Sequence, residues 1–326
     1  MRLRPYHARV SGRELSTRDA LEMAAFCFRI DRVTAEVTSA LSEASIPSML
    51  LKGPGIATWL YSGDRPRIYT DSDLLLRKRD WKNALALIEG LGFADDLGPL
   101  EHPRMESGAG YPWARRSDGA HVDLHYTLFG IDADPQDLWT AFARDAVREN
   151  VGGVEVSLPS RPARLLHIAL HAVQHGGDAW EKPMMDLGQA VAKAPTQLWV
   201  EALRLAEGLG AGETFAAGLR LIPAGAALAA EIGASENTAL GSDLRLGRVP
   251  LAEGFQELAE TRGIRQKARV LAREAFPNPA FMRWWSPLAR RGWLGLALAY
   301  LWRPLYLASR AIPGYLAWRR ASRTSR

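Results

Sequence analysis

Apolar residues recur at helical spacing through 12–45, where "SGRELSTRDALEMAAFCF" and "DRVTAEVTSALSEASI" predict two helices. Asp31 caps the second, and Pro47 closes the region. The pattern then changes. "SMLLKG" is a short apolar run that predicts a buried strand, and "PGIATWLY" opens a helix with Pro54 at its first position. "TDSDLLL" predicts a second strand, and "KRDWKNALALIEGLG" an amphipathic helix stopped by Gly90 and Gly92. "GYPWARRSDGAHVDLHYTL" reads as a hairpin turning over Ser117-Asp118-Gly119. "DPQDLWTAFARDA" is a helix, and "GGVEVSL" is a strand or hairpin arm.

Strand signals stop near 150–162. From Ser160, a cap, "SRPARLLHIALHAVQHG", "KPMMDLGQAVAKA", "PTQLWVEALRLAEGLG" and "AGETFAAGLRLI" predict short helices, and "VPLAEGFQELAETRGIRQKARVLAREAF" a longer pair. Pro304 and Pro313 are expected to break the C-terminal tail into pieces of about three turns or fewer. The expected organisation is an N-terminal helical segment (1–45), an α/β core (46–158), a helical subdomain (159–275) and a C-terminal helical tail (276–326). The fold class is α+β: a small mixed sheet with flanking helices, followed by helices.

Composition narrows the setting. A chain of 326 residues fits two subdomains or one large domain with extensions. The single cysteine, Cys27, excludes an intramolecular disulfide and a cysteine-built metal cluster. With it, a reducing cytoplasm is the expected location. The basic N-terminus lacks the apolar stretch of a secretory signal. The longest uncharged apolar run, Gly292 to Trp302, has 11 residues, short of the ~18 that span a bilayer. Net charge is +5, yet from Ala275 onward the chain carries nine Arg and no acid, leaving the remainder at −4. The basicity belongs to the tail.

The chemistry concentrates in the α/β part. On a strand, Asp71 and Asp73 point the same way and Ser72 the other, while Leu74, Leu75 and Leu76 call for burial on both faces. Two like charges beside a core are costly unless a cation lies between them. A third carboxylate, Asp123, interrupts another strand, sharing a face with His121 and His125. Upstream, Lys52-Gly53-Pro54-Gly55 turns from strand to helix. Glycine there allows close approach of a phosphate, and a helix start offers N–H groups to an anion. An exposed strand start is the competing account of the Asp pair.

The run "LLKGPGIATWLY…RPRIYTDSDLLL…LGF…VDLHY" resembles the bacterial nucleotidyltransferase family of unassigned substrate, within the polymerase-β-like nucleotidyltransferase superfamily. The resemblance is clear over about 46–126 and weaker in "LLHIALHA" and "MMDLGQA". It implies that Asp71 and Asp73 bind Mg²⁺ with a nucleoside triphosphate, and that Asp123 completes a two-metal site and acts on the acceptor hydroxyl. Such a pair of metals serves attack on the α-phosphorus and departure of pyrophosphate. Lys52, Gly53, Pro54 and Gly55 are the phosphate turn, with Arg67 and Lys182 as further phosphate contacts; Arg65 is a companion to Arg67. Pro54 departs from the pattern, because it stands where a phosphate-binding Ser is usual and has no N–H.

Two other accounts stay open. One is a catalytically degenerate module that binds a nucleotide or a partner. The other is a metal hydrolase built on His167, His171 and His175, spaced four apart on one helix. Against it, that helix offers no Glu as base, and the histidines suit a helix–sheet contact. Asp186 resembles a family position and can equally cap or pair. The expected partners are a nucleoside triphosphate and an acceptor of unknown identity. The Trp/Arg-rich segment 281–326 either packs on the helices or contacts a membrane surface or a protein; nucleic acid is not expected.

Overall fold

The structure, a computed structural model, describes residues 17–61, 67–95, 110–175, 182–237, 249 and 251–324. Helix α1 (Thr17–Glu43) leads into β1 (Ser48–Leu50), α2 (Pro54–Leu60), β2 (Ser72–Leu76) and α3 (Trp81–Gly90). The short β3 (Ala94–Asp95), then β4 (Tyr111–Arg115) and β5 (Ala120–His125), complete one sheet. After α4 (Pro135–Ala143), a separate hairpin forms from β6 (Val147–Val151) and β7 (Val154–Leu158). Then come α5 (Arg161–Gln174), α6 (Lys182–Lys193), α7 (Thr196–Gly208), α8 (Gly212–Leu219), α9 (Pro223–Glu231), α10 (Ala252–Glu260), α11 (Ile264–Ala275), α12 (Pro279–Trp285) and α13 (Gly292–Thr324).

The five-stranded sheet has the order β1-β2-β5-β4-β3. Only β2 and β5 pair in parallel; the other neighbours are antiparallel, so the sheet is mixed and the fold is α+β as expected. Alternation divides its side chains. Leu50, Leu74, Leu76, Val122 and Leu124 pack with Val33, Val37 and Leu41 of α1. Met49 and Leu75 join the opposite core, with Leu165, Leu166, Trp199 and Phe215 of the helical part. The hairpin expected over 110–128 is β4–β5, with Gly119 at φ +70° in its turn.

Three local expectations are corrected. Among the described residues of the region 12–45 there is one helix, Thr17–Glu43, rather than two. Buried Met23, Ile30, Val33, Val37 and Leu41 keep one helical stripe through Asp31, which accepts a hydrogen bond from the Tyr69 hydroxyl (2.8 Å) instead of capping. Helix α13 likewise runs through Pro304 and Pro313 as one element. Each proline removes one backbone bond, and packing on α10–α12 offsets that loss. Ser160 stands at the start of α5, but its side chain makes no capping bond.

Candidate functional site

The register of β2 and β5 sets Asp73 beside Asp123 and Leu75 beside His125. Ser72 points to the other face, where its hydroxyl lies 2.6 Å from that of Thr34 on α1. Asp71 immediately precedes the strand, is partly exposed, and accepts from the Thr70 hydroxyl at 3.4 Å. Among the described residues, one group of possible metal donors forms: Asp73, Asp123 and His125, with their donor atoms all within 4.8 Å of one another. Sequence reasoning placed His125 on this face but did not number it among the site residues; the alternation His121, Asp123, His125 was the signal that could have done so.

The donor set suits a cation. Burial, with the neighbouring charges of Asp73 and Asp71, raises the Asp123 carboxyl to about 6. Burial would raise Asp73 as well, but Lys52 and His125 hold it well below the usual carboxylate range. His125 Nε2 lies 3.4 Å from Asp73 Oδ1, while its buried Nδ1 has no hydrogen-bond partner. Gly110 packs closely against these groups: a Cβ there would stand 2.8 Å from His125 Nε2 and 3.0 Å from Asp123 Cβ, so a side chain would crowd the donors. No pattern in the sequence pointed to Gly110.

Lys52 meets this cluster directly. Its Nζ lies 2.6 Å from Asp73 Oδ1 and 3.3 Å from His171 Nε2. Burial disfavours its charge, but Asp73, Asp71 and Asp123 outweigh that and keep it protonated. Gly53 turns the chain at φ +68° and ψ −130°, and its carbonyl accepts from the Ile56 (3.3 Å) and Ala57 (3.1 Å) amides. Pro54 is buried at the first position of α2. Gly55 has a packing reason, since an added Cβ would stand 1.9 Å from Leu158 Cδ2. Its carbonyl accepts from Arg164 Nη1 at 2.7 Å.

Arg67 is placed otherwise than the phosphate expectation had it. Its Nε and Nη2 both bond the Asp186 carboxylate at 2.7 Å, in a pair that is almost fully enclosed. Tyr61 donates to the same carboxylate at 2.6 Å, and Arg67 Nη1 reaches the Gly53 carbonyl at 3.4 Å. The guanidinium therefore ties the turn to α6, and Asp186 pairs rather than caps. Lys182 opens α6, close enough to Asp71 and Asp73 for their charges to act on it; burial and Arg67 push its pKa down. Arg65 lies outside the described residues.

His167 and His171 of α5 face the strand-to-helix turn. The His167 ring bonds the Leu51 backbone, and burial pushes it down to about 3. Burial and Lys52 lower His171 well below its ordinary value. The rings of His171 and His175 meet edge-on at 4.6 Å. None of the three belongs to the metal-donor group found among the described residues.

The sequence model of a family described as "Uncharacterised nucleotidyltransferase" matches residues 18–224. The chain belongs to that family. The match takes in α1, the sheet, Asp73, Asp123 and His125, and the helices through the start of α9, so this nucleotidyltransferase holds its carboxylate cluster inside the region the family defines. Similar solved structures include the antibiotic-resistance factor ANT(2'')-Ia, 15% identical, covering 56% of this chain and 91% of that one at a TM-score of 0.38. The lincosamide antibiotic adenylyltransferase LnuA, in its lincomycin-bound crystal structure, is 16% identical, covering 47% and 91% at 0.32. An antigenic nucleotidyltransferase-like protein from Paracoccidioides brasiliensis is 17% identical, covering 55% and 88% at 0.33. No match was found among curated proteins.

Proposed function

We propose that this nucleotidyltransferase moves a nucleoside monophosphate group from a nucleoside triphosphate to an acceptor hydroxyl or phosphate, at a site centred on Asp73 and Asp123. The observation that carries this is the side-by-side carboxylate pair, one member of it raised to about 6, with His125 as a third donor within 4.8 Å. Asp71, Asp73 and Asp123 are the proposed ligands of Mg²⁺, in a two-metal arrangement, with His125 as an added donor. When bound, Mg²⁺ supplies positive charge to the triphosphate and to the charge that develops during transfer.

The chain's own groups have separate tasks. The acceptor O–H loses its proton to Asp123. Its oxygen forms a bond to the α-phosphorus, and the bond from that phosphorus to the oxygen leading to the β-phosphate breaks, releasing pyrophosphate. Lys52 and Lys182 are the proposed partners of the phosphate oxygens, as ammonium groups near the carboxylate cluster. Arg67 is a positioning residue: through Asp186 and the Gly53 carbonyl it fixes the turn that carries Lys52. The proposed cleft lies between residues 46–158 and 159–275, with nucleotide on one wall and acceptor on the other, and Lys182 reaching the triphosphate from the second part.

A screen of ATP, GTP, CTP and UTP for pyrophosphate release in the presence of cell extract tests this reading. Release with at least one nucleotide is expected, dependent on Mg²⁺ and abolished by Asp71→Asn with Asp73→Asn. Equal release from that variant would remove the assignment. The salt bridge from Lys52 to Asp73 favours a second reading, because it partly neutralises that carboxylate from within the chain; Pro54 adds to it by lacking an N–H. In that case the protein binds nucleotide without turnover, and calorimetry registers Mg²⁺-dependent binding while no extract yields pyrophosphate.

A further inference from the structure

Helix α13 has two unlike faces. The inner face is anchored. Arg303 donates to the Glu274 carbonyl at 2.6 Å and lies over the rings of Phe281 and Trp285. Trp318 donates to Gln256 at 2.8 Å, and Tyr315 and Trp318 pack on Phe255. The outer face carries Trp293, Leu294, Leu298, Leu301, Trp302, Leu305, Ile312 and Leu316, all exposed. Trp293, Leu301 and Ile312 are exposed by 77%, 71% and 73%. At ~100° per residue these eight fall within one half of the helix circumference and form a stripe about 35 Å long.

The ends of the stripe are basic. Arg290 and Arg291 precede it, and Arg319, Arg320 and Arg323 follow it. Over 264–326 the chain holds thirteen basic residues against one acid, and that acid, Glu274, lies against Arg303. No helix among the described residues is long and apolar enough to cross a membrane. A contiguous apolar stripe of this size is uncommon on a protein that keeps to bulk water.

We propose that α13 lies flat on an anionic lipid surface. The apolar stripe enters the headgroup–acyl boundary, Trp293 and Trp302 sit at the interfacial level, and the flanking arginines meet lipid phosphates. Charge complementarity selects this occupant. A second copy of the same face would bring two strongly basic surfaces together. A nucleic acid would set its phosphates against leucines between the arginine clusters. The proposal is independent of the catalytic reading, since the stripe lies outside the residues that define the family.

Flotation of the full chain with phosphatidylcholine–phosphatidylserine vesicles tests it. The chain is expected to float with these vesicles at low salt, to release as salt rises, and to stay behind with phosphatidylcholine alone. Trp emission should shift to the blue on binding. Leu301→Glu with Ile312→Glu changes only exposed positions, so the fold should persist while flotation falls at least tenfold. Arg319→Gln with Arg323→Gln should weaken partitioning roughly thirtyfold. Failure of the unaltered chain to float at low salt, or flotation unchanged by both variants, would overturn the proposal. So would self-association, or capture of a nucleic acid, that the same variants abolish in a chain that never floats.

Discussion

Arg67 and Asp186 meet through two bonds of 2.7 Å in an almost fully enclosed setting, so removing one partner leaves the other charge without compensation. Asp186→Ala should cost about 3–5 kcal/mol in urea unfolding, and Asp186→Asn, which keeps one acceptor, should cost less; equal stability of wild type and Asp186→Ala would contradict this. His167 gives a pH signature. Its folded pKa is depressed to about 3, so below the unfolded value of about 6.5 the unfolded chain binds a proton that the folded chain refuses. Stability contributed by the neutral ring is present above that value and is lost as pH falls, by up to ~1.4 kcal/mol per pH unit between about 6.5 and 3. His167→Asn should flatten the slope of unfolding free energy in that window; an unchanged slope would remove His167 as its source. At this scale the sequence set His125 on the face of Asp123, because strand alternation is local. It could not show that Arg67 meets Asp186, that Lys52 meets Asp73 or that Gly55 faces Leu158, since those contacts join separate elements.

Among the elements, those bounded by strong local signals were legible. The Asp118-Gly119 turn, Pro54 at a helix start and Asp134, which accepts from the Gln136 amide at 2.8 Å, each act within a few residues. Local pattern divides helix α1 because Asp31 resembles a cap, whereas its side chain accepts from Tyr69, 38 positions away. Helix α13 was divided at its prolines for a sound local reason that tertiary packing overrides. Because α13 is continuous, Pro313→Ala restores one backbone bond, to the Ser309 carbonyl, and removes an internal proline that costs about 3 kcal/mol relative to Ala. Hydrogen exchange of the amides near 313 should therefore slow. Unchanged or faster exchange would indicate that the helix breaks there.

Across the molecule, two apolar cores meet at the sheet. One faces α1 and the other faces α5–α9, and the second presses His167 and His171 toward the turn that carries Lys52. The carboxylate cluster thus lies where the sheet faces the helical part: the sheet register holds the pair, the β1–α2 turn brings Lys52, and the helices bring His167, His171 and Lys182. The family assignment makes this chain a nucleotidyltransferase; the cluster is our proposal for where it acts. The most direct measurement is transfer of α-³²P label from nucleoside triphosphates into acceptors of a cell extract, comparing wild type with Asp73→Asn/Asp123→Asn. Label transferred by the wild type and lost from a double variant whose thermal unfolding remains cooperative is the expected result. Equal labelling by the folded double variant, or none by the wild type with any nucleotide, would contradict it.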